Sequence, residues 1–151
     1  MKLRLLSMIV STATLLSGCL VMVPGNLYPI QGPAATAQNP PAIYSVIING
    51  VATSGTMTAT LQNNESCSGK WNQVNQRDNS AGQMSAQWDQ VYGQGFFVAN
   101  VLGNPVFARA VLTCKQGTTL NIEFFERDPA AFAGAKGVGQ DSKGNLYKVA
   151  F

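Results

Sequence analysis

From residue 43 onward the chain alternates apolar and polar residues with a period of two, and this periodicity restricts its fold more than any other feature. Side chains of a β-strand point alternately to its two faces, so such runs read as half-buried strands. "IYSVIING", residues 43–50, is the first. In "TMTATLQ" Met57, Ala59 and Leu61 share one face, with Thr56, Thr58 and Thr60 on the other. "NNE" then turns into "SCSGKW", where Cys67, Gly69 and Trp71 share a face, which predicts a hairpin. "GFFVANVLG" reads as a further strand that stops at Asn104-Pro105. "VFARAVLTC" places Val106, Ala108, Ala110, Leu112 and Cys114 together, and "KQG" turns into "TTLNIEFFE", with Leu120, Ile122 and Phe124 inward. "GVGQ" and "LYKVAF" flank Asp141 to Asn145, a run with the chemistry of a hairpin loop. Strands at this spacing predict an all-β fold: a single antiparallel β-sandwich or small barrel.

One stretch breaks the alternation. Met84, Trp88, Val91 and Tyr92 fall on one face of a helix, Ser80 and Gln83 have capping-box spacing, and Gly93 and Gly95 follow. A single short helix over about 83–92 is expected, its apolar stripe packing into a core.

The amino terminus obeys different rules. Lys2 and Arg4 precede an apolar stretch from Leu5 to Leu16, and Ser17 and Gly18 lead to Cys19, the layout of a secretory signal. The stretch is shorter than the roughly 20 residues of a membrane-spanning helix. Leu16-Ser17-Gly18-Cys19 resembles the lipobox of bacterial lipoproteins. The resemblance implies cleavage before Cys19 and acylation of that residue, hence a membrane anchor through acyl chains. Asp after the lipidated cysteine commonly retains such proteins in the inner membrane; Leu20 stands there instead, so an outer-membrane location is expected. Residues 20–42 carry five of the seven prolines and no charge, and read as a tether. Leu27, Tyr28 and Ile30 are apolar enough for that part to dock on the domain. The expected organisation is a signal over 1–18, lipidated cysteine and tether over 19–42, and a β domain over 43–151.

Charge and composition remove several classes of function. The formal charge of +3 includes Lys2 and Arg4, so the mature chain is close to neutral, and its cations are scattered singly. Nucleic acid is not an expected partner. With no histidine, Ser-His-Asp and Cys-His catalysis and the commonest zinc ligand are excluded. No cofactor and no metal is expected. Glu65, Glu123, Glu126 and Asp128 are the acidic residues that a glycoside hydrolase would need to pair. Glu123 alternates with Ile122 and Phe124 and is expected on the solvent face. The Asp141 loop lacks the ligand pattern of a calcium loop, which favours a turn.

Once Cys19 is acylated, Cys67 and Cys114 are left, both at the inward parity of their strands. In an oxidising compartment a disulfide between them is expected, with two buried thiols as the alternative. Phe107 and Phe125 fall on the outward parity of theirs, and Phe96 and Phe97 cannot both point inward from one strand. These aromatics, with Arg109, are the candidate surface for a protein or glycan partner, unless a helix packed across the sheet covers them.

"LYPIQGP", "ESCSGKW" and "GVGQDSKGNLYKVAF" resemble recurrent pieces of a group of small uncharacterised lipoproteins of Gram-negative bacteria. The resemblance implies an envelope location and this architecture, and brings no activity. Its E-x-C-x-G-x-W segment corresponds to Glu65, Cys67, Gly69 and Trp71, read as a conformational motif. The functional expectation is a lipid-anchored, non-enzymatic structural or binding module. The alternative is a small envelope hydrolase or enzyme inhibitor that uses the carboxylates or the aromatic face.

Overall fold

In a computed structural model, residues 21–51, 53–74, 83–126 and 134–151 are described. Eight antiparallel strands close into a barrel, each paired with its neighbours in sequence and the last with the first. They are β1 (Val21–Gln31), β2 (Tyr44–Val51), β3 (Ser54–Thr60), β4 (Ser66–Gln73), β5 (Phe107–Cys114), β6 (Thr119–Phe125), β7 (Lys136–Asp141) and β8 (Leu146–Ala150). The barrel decides between the two all-β architectures that the alternation allows. Helix α1 (Pro33–Thr36) follows β1, helix α2 (Ser85–Tyr92) lies where a helix is expected, and a π-turn spans Phe97–Val101. Ser80 of the expected capping box lies outside the described residues. The helix starts after Met84, which supplies no side-chain cap.

Alternation places the core inside the barrel. Leu27, Val46, Ile48, Met57, Trp71, Leu112, Ile122, Phe124 and Val149 are buried there together. Thr56, Thr58, Lys70, Thr113 and Lys148 are exposed on the outer wall. This arrangement is the reverse of a membrane-spanning barrel, whose apolar side chains face outward. The interior is therefore a packed core.

Two expectations are corrected by the barrel. The tether read over residues 20–42 is in its first half a strand, because β1 pairs with β2 from Val21↔Gly50 to Leu27↔Tyr44 and with β8 from Asn26↔Ala150 to Gln31↔Leu146. Proline lacks a donor for the ladder and is tolerated at irregularities. The register of β1 against β8 shifts between Pro29 and Gln31, and Leu27 is fully buried. Prolines that suggest an extended linker are thus compatible with a bulged strand.

The second correction concerns "GFFVANVLG", which is a turn and the π-turn rather than a strand. The closed barrel has no free edge for it to pair with. Phe97 and Val101, four residues apart, point the same way into a second core outside the barrel wall. That core contains Met84 just ahead of α2, Trp88 from α2, Phe107, Phe125 and Val138 from the wall, and half-buried Val91, Tyr92 and Phe96. The expected apolar stripe of the helix is the side that packs.

Chain direction defines two ends. β1 begins at the proximal end, where β4 and β6 end, β5 and β7 begin and the last residue also lies. The distal end carries α1 and the β3–β4, β5–β6 and β7–β8 turns.

Candidate binding site

The segments "LYPIQGP", "ESCSGKW" and "GVGQDSKGNLYKVAF" approach one another at the distal end. Glu65, 2% exposed, accepts hydrogen bonds from the backbone N–H of Gln116 and Thr118, from Thr118 Oγ1 and from Lys143 Nζ. It ties the β3–β4 turn to the two neighbouring turns. Burial works to raise its pKa, but bonds from Lys143 and Thr118 outweigh it and hold the carboxyl below its ordinary value. Asp141 accepts from the N–H groups of Lys143 and Asn145, from Asn145 Nδ2 and from Tyr147 Oη. The turn expected around Asp141 is present. Asn145 Oδ1 in turn accepts from Ala34 N–H, the first contact of α1 with the barrel rim.

The remaining residues of E-x-C-x-G-x-W join β4 to its neighbours. Cys67 and Cys114 stand opposite each other on β4 and β5 and form a disulfide, as their shared inward parity predicts. Lys115 N–H donates to the Ser66 carbonyl, so the cysteines occupy a non-hydrogen-bonded pair, where facing side chains come closest. A Cβ on Gly69 would lie 2.0 Å from the Val111 carbonyl oxygen, so only glycine fits. Trp71 fills the barrel and donates from Nε1 to the Asn49 carbonyl. The motif is conformational at every position.

On the outer wall, the candidate surface residues part company. Phe107 is fully buried and Phe125 is 3% exposed, both beneath α2 and the π-turn, which corrects their reading as an exposed patch. Outward parity on a barrel strand means outside the barrel, and here a helix covers the outside. Phe96 is half-buried and stacks on Tyr92 at 4.6 Å and Trp88 at 6.1 Å. Glu123 is likewise outward but covered, at 2% exposure, which corrects its expected solvation.

Burial of Glu123 is possible because its charge is matched. Arg109, its cross-strand partner on β5, donates from Nε at 3.0 Å and Nη2 at 2.8 Å to Oε1. Trp88 Nε1 donates to Oε2 at 3.0 Å, linking α2 to the wall. Both carboxylate oxygens are engaged, and the guanidinium is held in place, with Phe107 beside it at 5.9 Å. Arg109 is thus an ion-pair partner, 19% exposed at its side chain, instead of a freely solvated cation.

Its exposed edge opens into a pocket of about 230 Å³ between the wall and Gln83 and Met84, the residues that lead into α2. Arg109, Val111, Asn121 and Gln140 of the wall line it together with Gln83 and Met84. Gln140 Oε1 accepts from Gln87 Nε2, so the Gln140 amide nitrogen is left to donate. Val111 adds an apolar margin, 57% exposed. The pocket can hydrogen-bond a polar ligand and bury a small apolar group. Gln83, Asn121 and Gln140 escape the sequence reading because nothing in a single strand's alternation tells which neighbouring strand supplies the pocket's other wall.

Among the described residues no group of three or more Cys, Asp or Glu is placed to hold a metal ion, and no helix is long and apolar enough to cross a membrane. Cys19, Ser80 and Asp128 lie outside the described residues. The chain matches no family model, no curated protein and no solved structure.

Proposed function

We propose that this protein is a lipid-anchored lipoprotein of the bacterial cell envelope that acts as a non-enzymatic binding module. The observation that carries the binding role is the Arg109 pocket: a guanidinium immobilised by a buried carboxylate, ringed by amide side chains and the exposed Val111. Immobilised donors favour binding because little freedom is lost when a ligand is captured. Charge neutralisation of Arg109 by Glu123 suits an uncharged polar partner surface, protein or glycan, better than an anion. The hydrolase or inhibitor alternative draws less support. Glu65 and Glu123 belong to separate networks, and Phe107 and Phe125 are buried.

The anchor rests on Leu16-Ser17-Gly18-Cys19 at the end of a signal-type stretch, and the outer membrane on Leu20. Cys19→Ala is expected to abolish incorporation of a fatty-acid analogue, and the wild-type protein to sediment with outer-membrane markers. The binding role is tested by a photo-crosslinking residue at Val111 in intact cells. A discrete adduct that disappears on Asn121→Ala supports the pocket. Adducts unchanged by that substitution count against it.

A further inference from the structure

Given the reading of Cys19 as an acylated anchor, we infer that the barrel is seated directly on the bilayer by its proximal end, with Val98 and Leu102 in contact with lipid. The first support is chain length. β1 begins at Val21, two residues after Cys19, and a chain spans at most about 3.6 Å per residue. The start of the barrel is therefore held within about 7 Å of the acylated residue. No slack remains for a domain that stands off the surface.

The second support is what the proximal end exposes. Phe97 and Val101 of the π-turn share a buried cluster with Phe107, the first residue of β5, and Phe125, the last of β6, which places the turn at this end. On its other side Val98 is 67% and Leu102 52% exposed, four residues apart and one turn from each other. Met22, at the start of β1, is 64% exposed. Ile30 and Ile43 are exposed at the distal end, so exposure alone does not choose the face. The anchor's position does, because only the proximal end can reach the membrane that holds the acyl chains. Among the described residues the charged groups near that surface are Lys136, exposed, and the half-buried carboxylates of Glu126 and of Asp89, which accepts from the Phe97 N–H of the π-turn. The occupant of the Val98–Leu102 surface is then the bilayer itself. The Arg109 pocket, on the flank, stays open to a partner.

The test uses the acylated mature protein in vesicles of phosphatidylethanolamine and phosphatidylglycerol, with a small fluorophore attached at Ala99→Cys or, separately, at Ser142→Cys. Both sites are exposed, and no reductant is used, so Cys67–Cys114 stays intact. The two sites lie at opposite ends, separated by roughly 20 Å from about six strand residues at 3.3 Å each. Spin-labelled lipid is expected to quench the Ala99→Cys probe several-fold more than the Ser142→Cys probe. Val98→Glu with Leu102→Glu is expected to remove most of that difference while the protein still floats with the vesicles. Equal quenching at both sites, or a difference unaffected by the two glutamates, in protein that floats would overturn the seating and leave the anchor standing. Failure of the wild-type protein to float would overturn both.

Discussion

Glu123 and Glu65 are two buried carboxylates stabilised in different ways, and each has a measurable consequence. Glu123 is matched by Arg109 and Trp88. Removing one partner of a buried pair leaves a desolvated charge, which is more damaging than removing both. Arg109→Met is expected to destabilise the fold by about 3 kcal/mol, and Arg109→Met with Glu123→Gln by clearly less. Urea denaturation checks this; a double variant no more stable than the single one would contradict it. For Glu65 the prediction is one of pH. Its pKa in the folded state lies below the ordinary value of 4.5, so the native fold favours the ionised form. The stabilisation is complete above that value and is lost as pH falls through the lower, folded one. The urea midpoints of wild type and Glu65→Gln should therefore differ at neutral pH and converge on acidification below 4.5. A gap that widens instead would refute the assignment.

At the scale of elements, β4 is the strand to which the most constraints attach. It carries the disulfide to β5, the close approach at Gly69 and the indole of Trp71 across to β2. The bond closes a loop with a sequence separation of 47. On the chain-entropy model such a loop contributes about 4 kcal/mol, a large share of a domain's stability. Unreduced, denatured mature protein is expected to show no titratable thiol, and reduction should lower its melting temperature markedly. Two reactive thiols in protein taken from the envelope would show that the bond does not form in the cell. Helix α2 has a different standing. Its Trp88 and Tyr92, with Met84 just ahead of it, cover the outer faces of β6, β7 and β8, and Tyr92 Oη donates to the carbonyls of Gly137 and Val149. It is an addition to a barrel that is already closed, and it turns outward-facing Phe107, Phe125 and Glu123 into buried residues.

For the whole molecule the decisive fact is closure through β1. A barrel of eight strands has no exposed edge, whereas removal of one strand bares two, at β2 and β8. A chain beginning at residue 43 keeps every run that alternates with period two, yet lacks Leu27 from the core and the ladder to both neighbours. It is expected to aggregate or to show no cooperative unfolding transition, while a chain beginning at residue 20 folds. Recovery of a stable, cooperative 43–151 fragment would restore the reading of residues 20–42 as a tether.

The sequence by itself determined the all-β class, most strand positions, the inward parity of Cys67 and Cys114, and the packing face of α2. These follow from periods of two and 3.6, which are properties of one segment and need no knowledge of its neighbours. Tertiary structure alone decided that the sheet closes, that "VMVPGNLYPIQ" is the strand that closes it and that "FVANV" is not a strand. It also decided the fate of the outward residues. Parity states which side of a strand a side chain leaves from, and cannot state whether water or a helix is waiting there. Phe107, Phe125 and Glu123 leave on the outer side and meet α2; Thr113 leaves on the outer side and meets solvent. The Arg109 pocket exists for the same reason, since its walls come from β5, β6, β7 and the approach to α2, segments brought together only by register and closure.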